Sequence, residues 1–463
     1  MSAQDFVAVN VSVTGGASPT RQGFGTPLIA AYHTVYADRV RFYSSSTALT
    51  QMVTDGFTTS SAPYKAMAAV VSQSPCPPLV GIGRRALKPS QTVTLTYTDT
   101  GVGDVAAFTL VGSDGVSHPI SVVTTGTPGT DATAAAGIVN GITGHAATIG
   151  TTSAGGAILS ISRVDGLLND IKNWSPTIEL ADTTADPGIA TDLAAIVAAN
   201  NIGWYGLVLD SNSALEIEAA QGFIEATGVG GKYGFYNNSD WANTQSGTTS
   251  DVFSVLAAAT RNKCALQQND SQLLSYGGAA LAGLMLSANP GSKAAAYKSQ
   301  VGVPADTDVT LTETQALAIN GMTAGAPGPS GKKGNYYKTT SGLNLLYPGC
   351  EPSGQWIDVT IGIDWLQVNL QADVLAVLAG FPKIPLTDAG LAIIGNTIMN
   401  RLKIAASPAY GLIDGTQPII VDVPKAASLL PTDRAARNVP GITWQASIAG
   451  AIVTLTITGT LTQ

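Results

Sequence analysis

Strict alternation marks the first stretch of the chain. Val7, Val9, Val11 and Val13 stand between Ala8, Asn10, Ser12 and Thr14, a period of two that predicts a strand with one apolar face. The far end mirrors it: Ile442, Trp444, Ala446 and Ile448 alternate, Ala449-Gly450 supplies a turn, and Val453, Leu455 and Ile457 alternate with Thr454, Thr456 and Thr458. Both ends are therefore expected to form strands. Neither 7–14 nor 451–458 contains a charge or a proline, the features by which free strand edges are normally kept from pairing with another chain.

Between these ends the texture changes twice. From Lys88 to about Ala181 short Thr- and Val-rich runs such as Thr92 to Tyr97, Phe108 to Val111 and Ile158 to Ile161 are broken by Gly, Asp and Pro, which predicts a β-rich inserted unit with one helix near Asp131 to Ile142. Elements then alternate: a helix near Thr191 to Asn200, a strand at Trp204 to Leu209, a helix from Ser213 to Thr227 opened by a Ser213/Glu216 capping box, a strand at Lys232 to Tyr236, and helices at Ser250 to Arg261 and Tyr276 to Ser287. That order predicts an α/β unit with a partly parallel sheet. After a Gly/Pro-rich loop at Ala324 to Gly331, two helices follow. Asp364 is read as the cap of one running to Leu378, and Thr387 or Asp388 as the cap of another running to about Ala405.

The chain has 463 residues, more than the roughly 100–200 of a usual domain, so several packed units are expected. Hydrophobic residues make up 45%, yet no stretch approaches about 20 uninterrupted apolar positions, so no membrane insertion is expected. Charged residues are only 12%, against roughly 25% in ordinary soluble domains, which suggests a surface covered by other molecules. A net charge of −8 without a dense basic cluster argues against nucleic acid as a partner. The pairs Arg84-Arg85 and Lys332-Lys333 read as solvated loop charges. Met1 to Asp5 shows no basic n-region or apolar h-region, so synthesis and retention in the cytoplasm are expected. Cys76, Cys264 and Cys350 are too scattered for a disulfide framework or a structural zinc site and read as reduced thiols.

Chemistry is sparse. His33, His118 and His145 have no companion at metal-ligand spacing. Gly81-Ile82-Gly83-Arg84-Arg85 lacks the lysine and spacing of a phosphate loop and reads as a strand end with a turn. Asp210, Asn237, Asn238 and Asp240 fall just past strand ends, where open α/β sheets bind ligands, and carboxylates there could hold a divalent cation. The same residue types also turn chains and cap helices, and Asp210 to Ser213 directly precedes a helix. Arg401 and Lys403, near the end of the last long helix, either face an acidic partner or complement the helix dipole, worth about 0.3–1 kcal/mol. No catalytic, cofactor-binding or metal residue is assigned.

A resemblance enters at the C-terminal third. Gly354-Gln355-Trp356-Ile357-Asp358, Ile363-Asp364-Trp365-Leu366 and Ile384-Pro385-Leu386-Thr387-Asp388-Ala389-Gly390 follow one another as in contractile phage tail sheath proteins, read there as a strand, a helix start, an IPxTDxG turn and a further helix. Upstream, Tyr297-Lys298, Gly302-Val303 and Lys333-Gly334-Asn335-Tyr336-Tyr337 are similar to the segment leading into that region, so the resemblance spans about residues 190–460. It implies a structural virion subunit, made in the host cytoplasm, that polymerises head-to-tail as a helical sheath around an inner tail tube. It further implies contacts with the tube protein, baseplate and tail terminator, and a single contraction without nucleotide or cofactor.

The expected fold class is a multidomain α+β/α/β chain. Residues 1–87 form the N-terminal arm and start of the core, 88–181 a β-rich protruding insertion, 182–345 the α/β core, and 346–463 a C-terminal α+β unit ending in a strand arm. Val7, Val9, Val11, Val13, Val453, Leu455 and Ile457 are the expected intersubunit strand positions, and Arg401 and Lys403 the expected tube contact. The competing readings are a hydrolase or metal enzyme using Asp210 and Asp240, another virion protein such as a capsid or tube subunit, and a carbohydrate-binding surface protein using the insertion.

Overall fold

The computed structural model describes residues 23–33, 35–59, 61–85, 91–97, 102–111, 117–151, 156–163, 170–172, 178–182, 188–226, 231–238, 249–269, 276–321 and 331–453. Val7 to Val13, Asp240, Leu455, Ile457 and the loop from Ala324 to Ser330 lie outside them.

The chain first forms β1 (Pro27–Ala31), β2 (Val40–Ser44), α1 (Ala48–Asp55), α2 (Ala62–Val71) and β3 (Leu79–Arg84). It then leaves for an inserted unit of β4 (Gln91–Tyr97), β5 (Val105–Val111), β6 (Ser117–Val123), α3 (Pro128–Asn140), β7 (His145–Thr151), β8 (Ala157–Arg163), β9 (Asp170–Lys172) and β10 (Ile178–Asp182). The return runs through α4 (Ile189–Ala199), β11 (Gly206–Leu209), α5 (Ala214–Glu225), β12 (Tyr233–Asn238), α6 (Val252–Ala258), β13 (Cys264–Gln268), α7 (Gly277–Leu286), α8 (Glu313–Asn320), β14 (Asn335–Thr340) and β15 (Leu343–Tyr347). The last part holds α9 (Ile357–Gly380), α10 (Asp388–Ala405), β16 (Ile420–Asp422), α11 (Pro431–Ala436) and β17 (Thr443–Gln445).

Eight strands make one sheet in the order β15-β14-β13-β12-β11-β1-β3-β2. The six inner strands pair parallel, while β2 and β15 close the edges antiparallel. A parallel sheet is normally covered on both faces, and β1, β11, β12 and β13 are buried throughout. The period of two sorts their side chains. Ile29 and Ala31 join Val80, Ile82 and Val208 in the core under α2 and α7, whereas Leu28 and Ala30 join Leu207, Leu209 and Leu266 under α4, α5 and α6.

All ten residues of α7 are buried. Its small residues permit that depth: a Cβ on Gly278 would lie 2.7 Å from the Phe235 carbonyl oxygen, and one on Gly283 2.5 Å from that of Val70.

The inserted unit carries its own core. A four-stranded sheet, β10-β4-β8-β7, and a three-stranded one, β6-β5-β9, are joined by α3 around Tyr97, Phe108, Leu110, Ile120, Ala135, Val139, Leu159 and Ile161. A fourth core lies in the C-terminal unit, where Leu366, Leu370 and Val374 of α9 meet Ile398 and Leu402 of α10.

Three expectations change here. Asp364 does not cap a helix: α9 begins seven residues earlier, at Ile357, and Asp364 is buried within it. Residues 346–361 accordingly side with the sheet, since Leu346, Ile357 and Ile361 belong to its core. Ser213 does stand at the N-cap of α5, but its hydroxyl makes no capping bond and Glu216 turns to Arg85 instead. Among the described residues α9 alone is long and apolar enough to cross a membrane, and 56% of that stretch is buried inside the protein.

The inserted core shares no residue with the cores of the sheet. Phe108→Ala should cost about 3–5 kcal/mol and open the insertion alone, so that hydrogen exchange accelerates across 105–163 while 206–209 and 264–268 stay protected. Loss of protection in both places would contradict the separation.

Candidate functional site: a joint and an open ribbon

Among the described residues the most densely bonded polar cluster is a joint. The first two turns of α9 are buried against the sheet unit and the turns from Trp365 to Val374 against α10, so the helix crosses from one core to another. At the crossing Asp364 accepts a hydrogen bond from the Tyr205 hydroxyl at 2.9 Å and pairs with Lys263 at 3.1 Å. Beside it the fully buried Glu351 accepts from the Tyr233 hydroxyl at 2.7 Å and from the Lys263 backbone N–H at 3.3 Å. Asn335 holds the neighbouring turn through both ends of its amide: Oδ1 accepts from the N–H groups of Gly349 and Cys350, and Nδ2 donates to the carbonyls of Leu266 and Cys350. The backbone of 349–351 is thereby fixed to strands β13 and β14.

The IPxTDxG segment has a steric logic. Thr387 caps α10, its side chain accepting from the Gly390 N–H at 3.3 Å, and Asp388 accepts from the Ala426 N–H at 2.6 Å. The chain folds back so tightly that a Cβ on Gly390 would sit 1.9 Å from the Pro385 carbonyl oxygen. Only glycine fits.

Arg401 is not a free cation on this hairpin. It grips Asp373 of α9 through two bonds of 2.6 and 2.8 Å, with its guanidinium 5.6 Å from the Trp365 ring centroid. Lys403 is exposed.

Strands β16 and β17 form a two-stranded antiparallel ribbon. Val421 and Trp444 turn inward onto the C-terminal core, while Ile420 remains 52% exposed. Neither outer edge carries another strand among the described residues. An isolated pair of strands is marginal by itself and leaves a row of backbone donors and acceptors open on each side. Beyond β17 Ile448 bridges to Ile413, and the second arm of the expected hairpin lies, but for Val453, outside the described residues. The chain continues across a groove lined by Ala296, Pro348, Trp356 and Asp358, where the Tyr297 hydroxyl donates to the Val453 carbonyl.

The candidate ligand residues are engaged separately. Arg85, read as a solvated charge, is fully buried among Asp192, Asp210 and Glu216, so the place where those carboxylates converge is already taken by a cation. Burial, opposed by Arg85, pushes Asp210 up to about 6. Asn237 and Asn238 bond to Gln267 and Gln268. Lys332, the other misread cation, pairs with Asp251 at 2.7 Å. His33 packs against Tyr36 and Phe57, and burial, aided by Arg84 and Arg41, lowers it to about 4. Among the described residues no group of three His, Cys, Asp or Glu side chains could hold a metal ion.

Burial pushes Glu351 up to about 8, against hydrogen bonds from Tyr233, Thr360 and Lys263 that favour the charged form. The folded chain therefore keeps a proton that the unfolded chain releases above about pH 4.5, and the stability held by this group is lost as pH rises through 8. Glu351→Gln is neutral throughout, so its melting temperature relative to the parent should shift in the variant's favour between pH 5 and pH 9. A difference that does not change with pH would refute this.

Comparison with known proteins follows the architecture. No family model matches the chain, and no curated protein matches it in sequence. Among solved structures, the helical sheath of the anti-feeding prophage in its contracted state is 11% identical and superposes with a TM-score of 0.50, covering 99% of this chain and 98% of that one. The contracted sheath of an extracellular contractile injection system, PVC, is 10% identical with a TM-score of 0.48, covering 99% and 96%. A sheath tail protein from Desulfitobacterium hafniense is 10% identical with a TM-score of 0.47, covering 89% and 93%. At such identity likeness speaks for the fold alone, and the fold of this chain is similar to that of the anti-feeding prophage sheath.

Proposed function

We propose that the chain is the structural subunit of a contractile phage-type tail sheath. Copies join head-to-tail as a helical tube around an inner tail tube and contract once to drive that tube through an envelope. The observation that carries the reading is the ribbon of β16 and β17, with neither edge paired among the described residues, in a chain whose sequence alternates apolar and polar residues over 7–14 and 453–458 without charge or proline. Strand addition from neighbours would satisfy the open backbone groups and register the arriving side chains. A head-to-tail contact of this kind does not close on a pair, so it generates rings or helices.

On this reading Val7 to Val13 and Val453 to Ile457 supply the exchanged strands. The stored work of contraction lies in a metastable lattice held by a barrier, which requires neither nucleotide nor active-site chemistry. The baseplate and a terminator would bound the tube at its two ends, and the particle is the working location. Arg401 is already committed to Asp373, so Lys403 is the part of the proposed tube contact that remains available.

Ile420 and Ile448 are 52% and 51% exposed, so Ile420→Lys with Ile448→Lys should leave a folded monomer. Negative-stain microscopy should then show tubes from the parent chain and none from the variant; tubes of normal length from the variant would count against strand exchange at the ribbon. Lys403→Glu is expected to spare sheath polymers but to lose assembly around inner tubes, and unchanged co-assembly would remove this residue from the contact.

A further inference from the structure

Arg85 is the last described residue before the chain departs for the inserted unit, and Asp192 lies in the first turn of α4, by which it returns. Their side chains meet in the interior, Arg85 Nε to Asp192 Oδ2 at 3.4 Å, neither more than 2% exposed. The same guanidinium is held from the sheet side. Nη2 donates to Glu216 Oε1 of α5 at 2.6 Å and to the Tyr32 hydroxyl at 2.8 Å, and Nη1 faces Asp210 Oδ1 just past β11 at 3.5 Å. The Tyr32 ring lies 4.0 Å below the guanidinium carbon, and Arg39 reaches Asp192 at 3.9 Å from the chain entering β2. The Tyr32 N–H in turn donates to Asp210 at 3.1 Å.

Among the described residues no element from β4 to β10 packs broadly on an element of the sheet unit. A body with its own core and no broad interface moves relative to its neighbour unless its attachment is fixed. Burying an arginine among carboxylates is a poor route to stability, since apolar residues of the same volume often do as well. What the ionic cluster adds is direction: four groups on separate segments fix one planar guanidinium, and one of the four sits in the first turn of α4, the sheet-packed helix that receives the returning chain.

We infer that Arg85 is a positioning residue for the inserted unit. It fastens the outgoing and returning connections to each other and to the sheet, so that the insertion follows the sheet as one body. The inference concerns a single chain and does not rest on the sheath reading. In a lattice it would make every rotation of the core a rotation of the protruding unit.

Double electron–electron resonance tests it. With Cys76 replaced by Ser, spin labels at Ala134→Cys on α3 and Thr50→Cys on α1, both exposed positions, report the distance between the units. The parent should give one narrow distance, and Arg85→Met should lose it to a broad distribution while far-ultraviolet circular dichroism and cooperative melting persist. Should Arg85→Met fail to fold, Asp192→Asn, which weakens the tie to the returning helix together with the Arg39 contact, is read in the same way. A broad distribution in the parent, or a narrow one retained in whichever folded variant is measured, would overturn the assignment.

Discussion

A helix whose first turns are buried in one core and whose middle turns are buried in another cannot move in one without carrying the other, and that constraint organises this molecule. The first turns of α9 contribute Ile357 and Ile361 to the core of the sheet, and the middle turns contribute Leu366, Leu370 and Val374 to the C-terminal core. Between them Asp364 is tied to Tyr205 and Lys263, which enter β11 and β13. The joint resists bending because its polar groups are both buried and directional. The open ribbon sits on the C-terminal core, so a force applied to its edges reaches the sheet through α9.

Ionisable groups held by directed hydrogen bonds or ion pairs recur at each place where one part of the chain is fixed to another. Glu351 and Asp364 hold the joint, Arg85 holds the root of the insertion, and Asp373 with Arg401 closes the α9–α10 hairpin. Such pairs add little net stability relative to apolar packing, but they specify orientation. This distribution suits a subunit that has to move as a rigid part of an assembly. It also explains how a chain with only 12% charged residues still spends several of them in its interior.

The parts legible in sequence were those decided by near neighbours. The Thr387 cap of α10, strands β4, β5 and β8 of the insertion and the alternation of helix and strand from α4 through β12 all follow from residues within a few positions of one another. Asp364 misled because an acidic residue before Trp365-Leu366 has the look of a helix start, and because Gly362 and the β-branched run before it disguise a helix. The glycine is there for another reason: a Cβ would lie 2.4 Å from Leu412, a residue fifty positions on. Arg85 and Lys332 were read as solvated because their partners are up to 131 residues away, as Glu216 is, and no local pattern announces such a pairing. The IPxTDxG residues were recognisable as a motif, but the need for Gly390 emerges only when Pro385 is seen folded against it.

The most direct measurement is a cryo-electron microscopy reconstruction of the assembled protein at a resolution that separates strands. The predicted map shows β16 and β17 at the centre of a wider sheet, flanked by strands that trace to residues 7–14 and 453–457 of adjoining copies. A polymer in which both ribbon edges face solvent, with each chain's ends packed on its own body, would contradict assembly by strand exchange.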